Sequence, residues 1–202
     1  MKVKIYTDGA ARGNPDGPGG YGTVLEFIDS KGQLHTKELS CGYKKTTNNR
    51  MELMAVIAGL EALNRPCEIE LYSDSKYVVD AFNQHWIDGW LKKGWKRGKN
   101  EPVKNVDLWK RLLKAKEPHQ ITFIWVKGHD GHPQNERCDT LATTAADGGN
   151  LLDDVSGDKS TLQVLKKMIK SQRCKSKTDG RSCKCRKTAG EESPGFIGQD
   201  AG

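Results

Sequence analysis

Four acidic residues stand where a folded core has no use for them: Asp8 in YTDGAARGNP, Glu52 in TTNNRMELMAV, Asp74 in LYSDSKYV and Asp139 in NERCDTLA. Three of them fall where an apolar strand or helix begins or ends, and burying an unpaired carboxylate there is costly. Carboxylates that converge in space are the usual way to hold a hard divalent cation such as magnesium. Crowded together without a cation they repel one another, so they bind one readily. The pattern points to a magnesium-dependent enzyme. Singly, each acid has a structural explanation. Asp8 with Gly9 makes a turn pair, Glu52 completes a capping box with Asn49, Asp74 caps the helix beginning near Ser75, and Asp139 is a solvated helix residue. Jointly these explanations compete poorly, because strand ends and helix starts are where site residues are displayed.

Elements must carry those residues. Val3 and Ile5 alternate with Lys2 and Lys4, a strand that ends at Asp8 and the turn Gly13-Asn14-Pro15. Residues 21–28 and 34–41 read as two further strands joined by a turn around Ser30-Lys31-Gly32. Leu53, Val56, Ile57, Leu60 and Leu63 recur at helical spacing, with Pro66 beyond. Ile69, Leu71 and Tyr72 make a short strand stopping at Asp74, and Tyr77, Val78, Ala81 and Phe82 start a second helix. A helix over 106–113, a strand over 121–126 and a helix over 135–146 follow. This order predicts a mixed α/β sheet with helices on its faces. The helical crossover makes the Leu71 strand a parallel neighbour of the first, so Asp8 and Asp74 share the end where such sheets bind ligands.

The 202 residues suggest one domain plus an appendage, since a hydrophobic content of 35% is low for a single compact body. A net charge of +7 favours a polyanionic partner. The opening MKVKIYTDGA has no apolar run and does not read as a signal peptide. No stretch approaches the ~20 apolar residues that span a bilayer. The six cysteines therefore read as reduced thiols in a cytoplasmic protein. Composition shifts near Gly148. The last 55 residues hold 11 basic and 7 acidic side chains and no aromatic beyond Phe196. They include one helical patch, with Leu162, Leu165, Met168 and Ile169, and the C-x8-C-x-C of Cys174, Cys183 and Cys185. A zinc knuckle needs a fourth ligand and this stretch has no histidine, so it reads as a basic, largely flexible arm.

YTDGAARGNP, GPGGYG, TTNNRMELMAV, YSDSKYV, GWKRGKNEPVKNVDLW and WVKGHDGHPQNERCDTLA together resemble type 1 ribonuclease H, in the family's order and through nearly all of residues 1–147. The resemblance implies a ribonuclease H-like five-stranded mixed sheet flanked by helices. Residues 1–147 are then the catalytic domain, and 148–202 a C-terminal extension with a short helix. It also implies endonucleolytic hydrolysis of the RNA strand of RNA–DNA hybrids by a two-metal-ion mechanism, leaving 3′-hydroxyl and 5′-phosphate ends. The implied cofactor is Mg2+, two ions during catalysis, with Mn2+ as a substitute. Asp8, Glu52, Asp74 and Asp139 match the family's metal-binding carboxylates, and His129 its mobile loop histidine, suited to proton carriage or product release.

Asn14, Asn48, Asn49 and Gln84 match positions lining the hybrid's minor groove, where an amide can both donate to and accept from a 2′-hydroxyl. Asn48 and Asn49 are alternatively helix caps. Thr47 matches a residue gripping a DNA phosphate. The pattern departs at an extra residue around Gln84-His85 and at Gly89, where some members have asparagine, which leaves the rest of that grip open. Trp90, Lys92, Lys93, Trp95, Lys96 and Arg97 resemble the family's basic protrusion, which holds the hybrid through phosphates and aromatic packing. The expected partner is the hybrid, with no membrane and no obligate protein partner, and the chain is expected to be a monomer. Two other classes stay open here: a catalytically inactive hybrid-binding module, and a related enzyme that cuts DNA. The intact acid set speaks against the first, and the protrusion with its amides against the second.

Overall fold

The computed structural model describes residues 1–13, 17–128 and 130–154. Asn14, His129 and the whole of 155–202, with the expected short helix and Cys174, Cys183 and Cys185, lie outside the described residues. Strands β1 (Lys2–Ala11), β2 (Gly19–Ile28) and β3 (Leu34–Tyr43) are followed by α1 (Asn48–Glu61) and β4 (Glu68–Ser73). Then come α2 (Lys76–Asn83), α3 (Trp86–Lys92), a two-stranded ladder of β5 (Lys96–Arg97) and β6 (Glu101–Pro102), α4 (Val106–Lys116), β7 (Gln120–Trp125) and α5 (Pro133–Ala146). The main sheet has the order β3-β2-β1-β4-β7, antiparallel from β1 to β3 and parallel across β1, β4 and β7. It is the five-stranded mixed sheet with flanking helices that the sequence implies.

Strand β1 does not stop at Asp8. It runs on to Ala11, paired with β2 from Asp8↔Gly22 to Ala11↔Gly19, so Asp8 is a ladder residue and not half of a turn. The parallel pairing of β1 with β4 ends at Thr7↔Ser73. Asp8 and Asp74 are thus the next residues on neighbouring strands, at the carboxyl end of the parallel sheet.

Successive residues of a strand point to opposite faces. Ile5 meets α1 at Gly59, whereas Tyr6 packs with Val24 and Cys138 of α5. The two helices therefore cover opposite faces of β1 and β2. Every residue of α1 from Met51 to Leu60 is buried, which explains an apolar pattern spread all round the helix. Thr23 Oγ1 donates to the Ala55 carbonyl at 2.7 Å, and Arg111 of α4 grips Glu61 with two bonds of 2.8 Å.

The sequence reading has one helix directly after Asp74 and, beyond it, a basic run interleaved with Trp90 and Trp95. The structure has two helices and a small ladder. His85, in the left-handed region at φ 56°, breaks the pattern and starts α3 in a new direction. The extra residue noted around Gln84-His85 falls at this break. Packing also continues past the expected boundary at 147. Leu152 donates to the Gly42 carbonyl at 2.9 Å and accepts from Lys44 N–H at 2.8 Å, so residues up to Asp154 lie against β3 and the start of α1. Among the described residues no helix is long and apolar enough to cross a membrane.

Candidate active site

Asp8, Glu52 and Asp74 each offer a carboxylate oxygen within 4.8 Å of the other two. Asp8 and Glu52 are buried and Asp74 is half-buried. Glycine makes this approach possible. A Cβ on Gly9 would lie 2.3 Å from the Glu52 nitrogen, so α1 rests directly on the backbone of β1. A Cβ on Gly22, the partner of Asp8 in the ladder, would lie 2.1 Å from the Cys138 carbonyl oxygen, and its absence lets α5 in on the other face. Asp139 of α5 is half-buried and sits outside the group of three. It is near enough to Asp8 for its charge to add to the upward shift of the Asp8 carboxyl.

The structural explanations for Asp8, Glu52 and Asp74 do not hold. Thr47 caps α1 by accepting from Arg50 N–H at 3.4 Å, so Asn48, Asn49 and Glu52 all lie inside the helix and none of them caps it. Ser75, not Asp74, is the capping position of α2. The Asp74 carbonyl instead accepts from Trp125 Nε1–H at 3.1 Å. Asp8 Oδ1 accepts from Gly9 N–H at 2.7 Å, and Asn48 donates to Glu52 Oε1 at 3.3 Å.

Burial, and then the Asp74 charge, push the Asp8 carboxyl up to about 7; the Gly9 N–H opposes this and Asp139 adds to it. Glu52 is raised well above the usual carboxylate range by burial and by the charges of Asp8 and Asp74. Glu52 Oε2 and Asp74 Oδ1 are buried with no hydrogen-bond partner among the described residues. Buried carboxylate oxygens without donors are what a divalent cation coordinates, so the donor set fits a hard cation.

The remaining site residues divide into two groups. Thr47, Asn48 and Asn49 form the entry to α1 beside Glu52, with Asn49 exposed. Gln84 is exposed at the end of α2, and Lys92, Lys93, Lys96 and Arg97 are exposed from the end of α3 into β5. The tryptophans of this second group turn partly inward. Trp90 packs edge-on against buried Trp109, with centroids 5.4 Å apart, and the Trp90 carbonyl accepts from Trp95 N–H at 2.7 Å. The Trp90 indole and the main-chain bond between Trp95 and Trp90 therefore anchor the protrusion, while its cations are exposed. Gly89 lies in α3, where an added Cβ would meet open space. Sequence reasoning missed the ion cluster of Arg50, Asp107 and Asp154. The only local signal for that cluster was a charged residue, Arg50, entering a buried helix.

A family model described as RNase H matches residues 1–147. A ribonuclease H of Lachnoclostridium phytofermentans is 80% identical over 154 residues, covering 76% of this chain and 98% of that protein. A ribonuclease H of Desulforamulus reducens is 56% identical over 154 residues, covering 76% and 93%. Among solved structures, LC9-RNase H1, a type 1 RNase H with the type 2 active-site motif, is 31% identical with a TM-score of 0.66, covering 80% of this chain and 83% of that one. The N-terminal RNase H domain of a Mycobacterium tuberculosis protein is 28% identical with a TM-score of 0.54, covering 73% and 94%. A carboxylate cluster at the end of this sheet, in a chain that matches such relatives over nearly their whole length, leaves one conclusion: the chain belongs to the type 1 ribonuclease H family.

Proposed function

We propose that the chain hydrolyses the RNA strand of RNA–DNA hybrids at Asp8, Glu52 and Asp74, with Asp139 completing the set. One observation carries the assignment of the site: three carboxylates converge at the carboxyl ends of β1 and β4 with two buried oxygens unpartnered. Divalent cations held there, two Mg2+ ions with Mn2+ able to replace them, would supply an activated water and charge stabilisation for the departing 3′ oxygen. The protein's part is positioning. Gly9 N–H fixes the Asp8 carboxylate, Asn48 fixes one oxygen of Glu52, and Trp125 fixes the main chain at Asp74. His129 carries protons or aids product departure. The chain works as a monomer in the cytoplasm, without an obligate protein partner.

Asn14, Asn48, Asn49 and Gln84 distinguish RNA from DNA through the 2′-hydroxyl, and Thr47 holds a phosphate of the DNA strand. The exposed cations after α3 hold further phosphates without reading sequence. Replacing Lys92, Lys93, Lys96 and Arg97 by glutamine is expected to raise KM about tenfold. The slope of log KM against log salt should flatten by roughly 3, at ~0.7–0.9 per phosphate contact. An unchanged slope means that the protrusion does not touch phosphate.

The chemistry itself is tested by the product ends. Attack by water with departure of the 3′ oxygen leaves fragments that a polymerase extends directly and a kinase labels only after phosphatase treatment. A 2′,3′-cyclic phosphate would show that the neighbouring 2′-hydroxyl attacks, and would overturn the proposal.

A further inference from the structure

Glu52 and two of the amides assigned to the minor groove, Asn48 and Asn49, share one short stretch of chain, from the turn after β3 into the start of α1. Both ends of that turn are tied to a single carboxylate, Asp154, at the end of the described residues. Asp154 Oδ2 accepts from Thr46 Oγ1 at 2.6 Å, just ahead of Thr47, and from Arg50 Nε at 2.6 Å, just after Asn49. Asp154 Oδ1 accepts from Arg50 Nη2 at 2.8 Å. The same guanidinium grips Asp107, at the start of α4, with bonds of 3.2 and 2.9 Å. The side chains of Asp154 and Arg50 are only 8% and 13% exposed. The chain leading to Asp154 is strapped to β3 by the two main-chain bonds of Leu152.

We infer that Asp154 is a positioning residue for hybrid recognition, setting the geometry of residues 46–50 so that Thr47, Asn48 and Asn49 meet the substrate. The inference rests on the proposed role of those three residues. A buried ion pair contributes little net stability against an apolar alternative of similar size. A bidentate arginine–carboxylate pair, however, fixes direction as well as distance. Here it orients the first turn of α1, from which Asn48 also reaches Glu52. The clamp sits on the DNA-gripping and groove-reading turn rather than among the reacting atoms, so its loss should appear mainly in KM, with only a small change in kcat through the Asn48–Glu52 contact.

The test uses the full-length chain and reads KM and kcat on an RNA–DNA hybrid together with the melting temperature. Asp154→Ala is expected to raise KM about tenfold, with kcat within about twofold. Asp154→Asn, which keeps an oxygen for Thr46 or Arg50, should recover part of the loss. Glu61→Gln breaks a comparable two-bond pair with Arg111 at the far end of α1. It should lower the melting temperature and leave KM in place.

Equal melting shifts for Asp154→Ala and Glu61→Gln, with KM unchanged in both, would overturn the inference, as would a fall in kcat alone. Asn49→Ala separates this inference from its foundation. If Asn49→Ala raises KM and Asp154→Ala does not, the positioning role fails alone; if neither moves KM, the grip assigned to the turn fails as well. Should Asp154→Ala not fold, Thr46→Val keeps the Arg50 pair and removes only the tie to residue 46. A raised KM there supports the clamp, and an unchanged one overturns it.

Discussion

Replacing Asp8 with asparagine is expected to cut turnover by on the order of a thousandfold while making the metal-free protein more stable. Both effects come from the same crowding. Asp8 is buried beside Asp74 and Glu52, and its carboxyl is pushed up from 3.8 to about 7, by burial first and by the Asp74 charge second. Below about pH 4 the group is neutral in folded and unfolded chains alike, so its preference for the neutral form supports the fold in full. As pH rises towards 7 the unfolded chain ionises freely and the folded chain resists, so that support is lost. Glu52 is raised by the same causes and acts in the same direction. Metal-free protein should therefore lose stability between about pH 4 and pH 7. Asparagine removes the Asp8 share, on the order of 1–3 kcal/mol. Magnesium should reverse the trend, stabilising wild type more at pH 8 than at pH 5 because ionised carboxylates bind it. Thermal unfolding with and without a chelator, alongside cleavage rates, checks all three statements. Turnover retained in Asp8→Asn with magnesium present would remove Asp8 from the site.

Gly9→Ala is expected to cost roughly 3 kcal/mol of stability and most of the activity, although alanine carries no charge and is smaller than most residues in the core. The new methyl would lie 2.3 Å from Glu52 N and 2.5 Å from Met51 C. Both are backbone atoms, so no side chain can rotate away and α1 itself must lift from β1. That movement takes Glu52 away from Asp8 and unsettles Thr23, whose hydroxyl reaches the Ala55 carbonyl on the same helix. Gly32→Ala is the contrasting control. Its site is open, with nothing within 4 Å of the added carbon, though its φ of 80° carries a local strain remote from the carboxylates. Chemical denaturation and steady-state rates for the two variants separate helix displacement from general glycine loss. Wild-type activity in Gly9→Ala would show that the close approach of α1 does not set the site.

How much of this was legible beforehand differs from element to element. The pairing of Asp8 with Asp74 followed from position, because a helical crossover puts the ends of β1 and β4 side by side whatever the intervening residues are, whereas Glu52, inside α1, was placed by the family resemblance. The length of β1 did not follow. DGAA lacks the alternation that marks a strand, and it is extended only because the glycine-rich stretch at Gly19, Gly20 and Gly22 pairs with it while backbone from two helices fills the space. Helix α3 was hidden because apolar residues continue past Phe82 at near-helical spacing, and the break is a left-handed histidine where a glycine would have signalled it. The cluster of Arg50, Asp107 and Asp154 had no local signal beyond the charge of Arg50 at the entry to a buried helix. Its partners are separated by 57 and 104 residues, and tertiary packing alone brings them together.

The most direct test is cleavage of an end-labelled RNA–DNA hybrid, with single-stranded RNA, duplex RNA and duplex DNA alongside, each with and without magnesium. The account predicts internal cuts confined to the RNA of the hybrid, appearing only when the metal is added. Binding to the hybrid without cutting, or cutting that persists in a chelator, would contradict it.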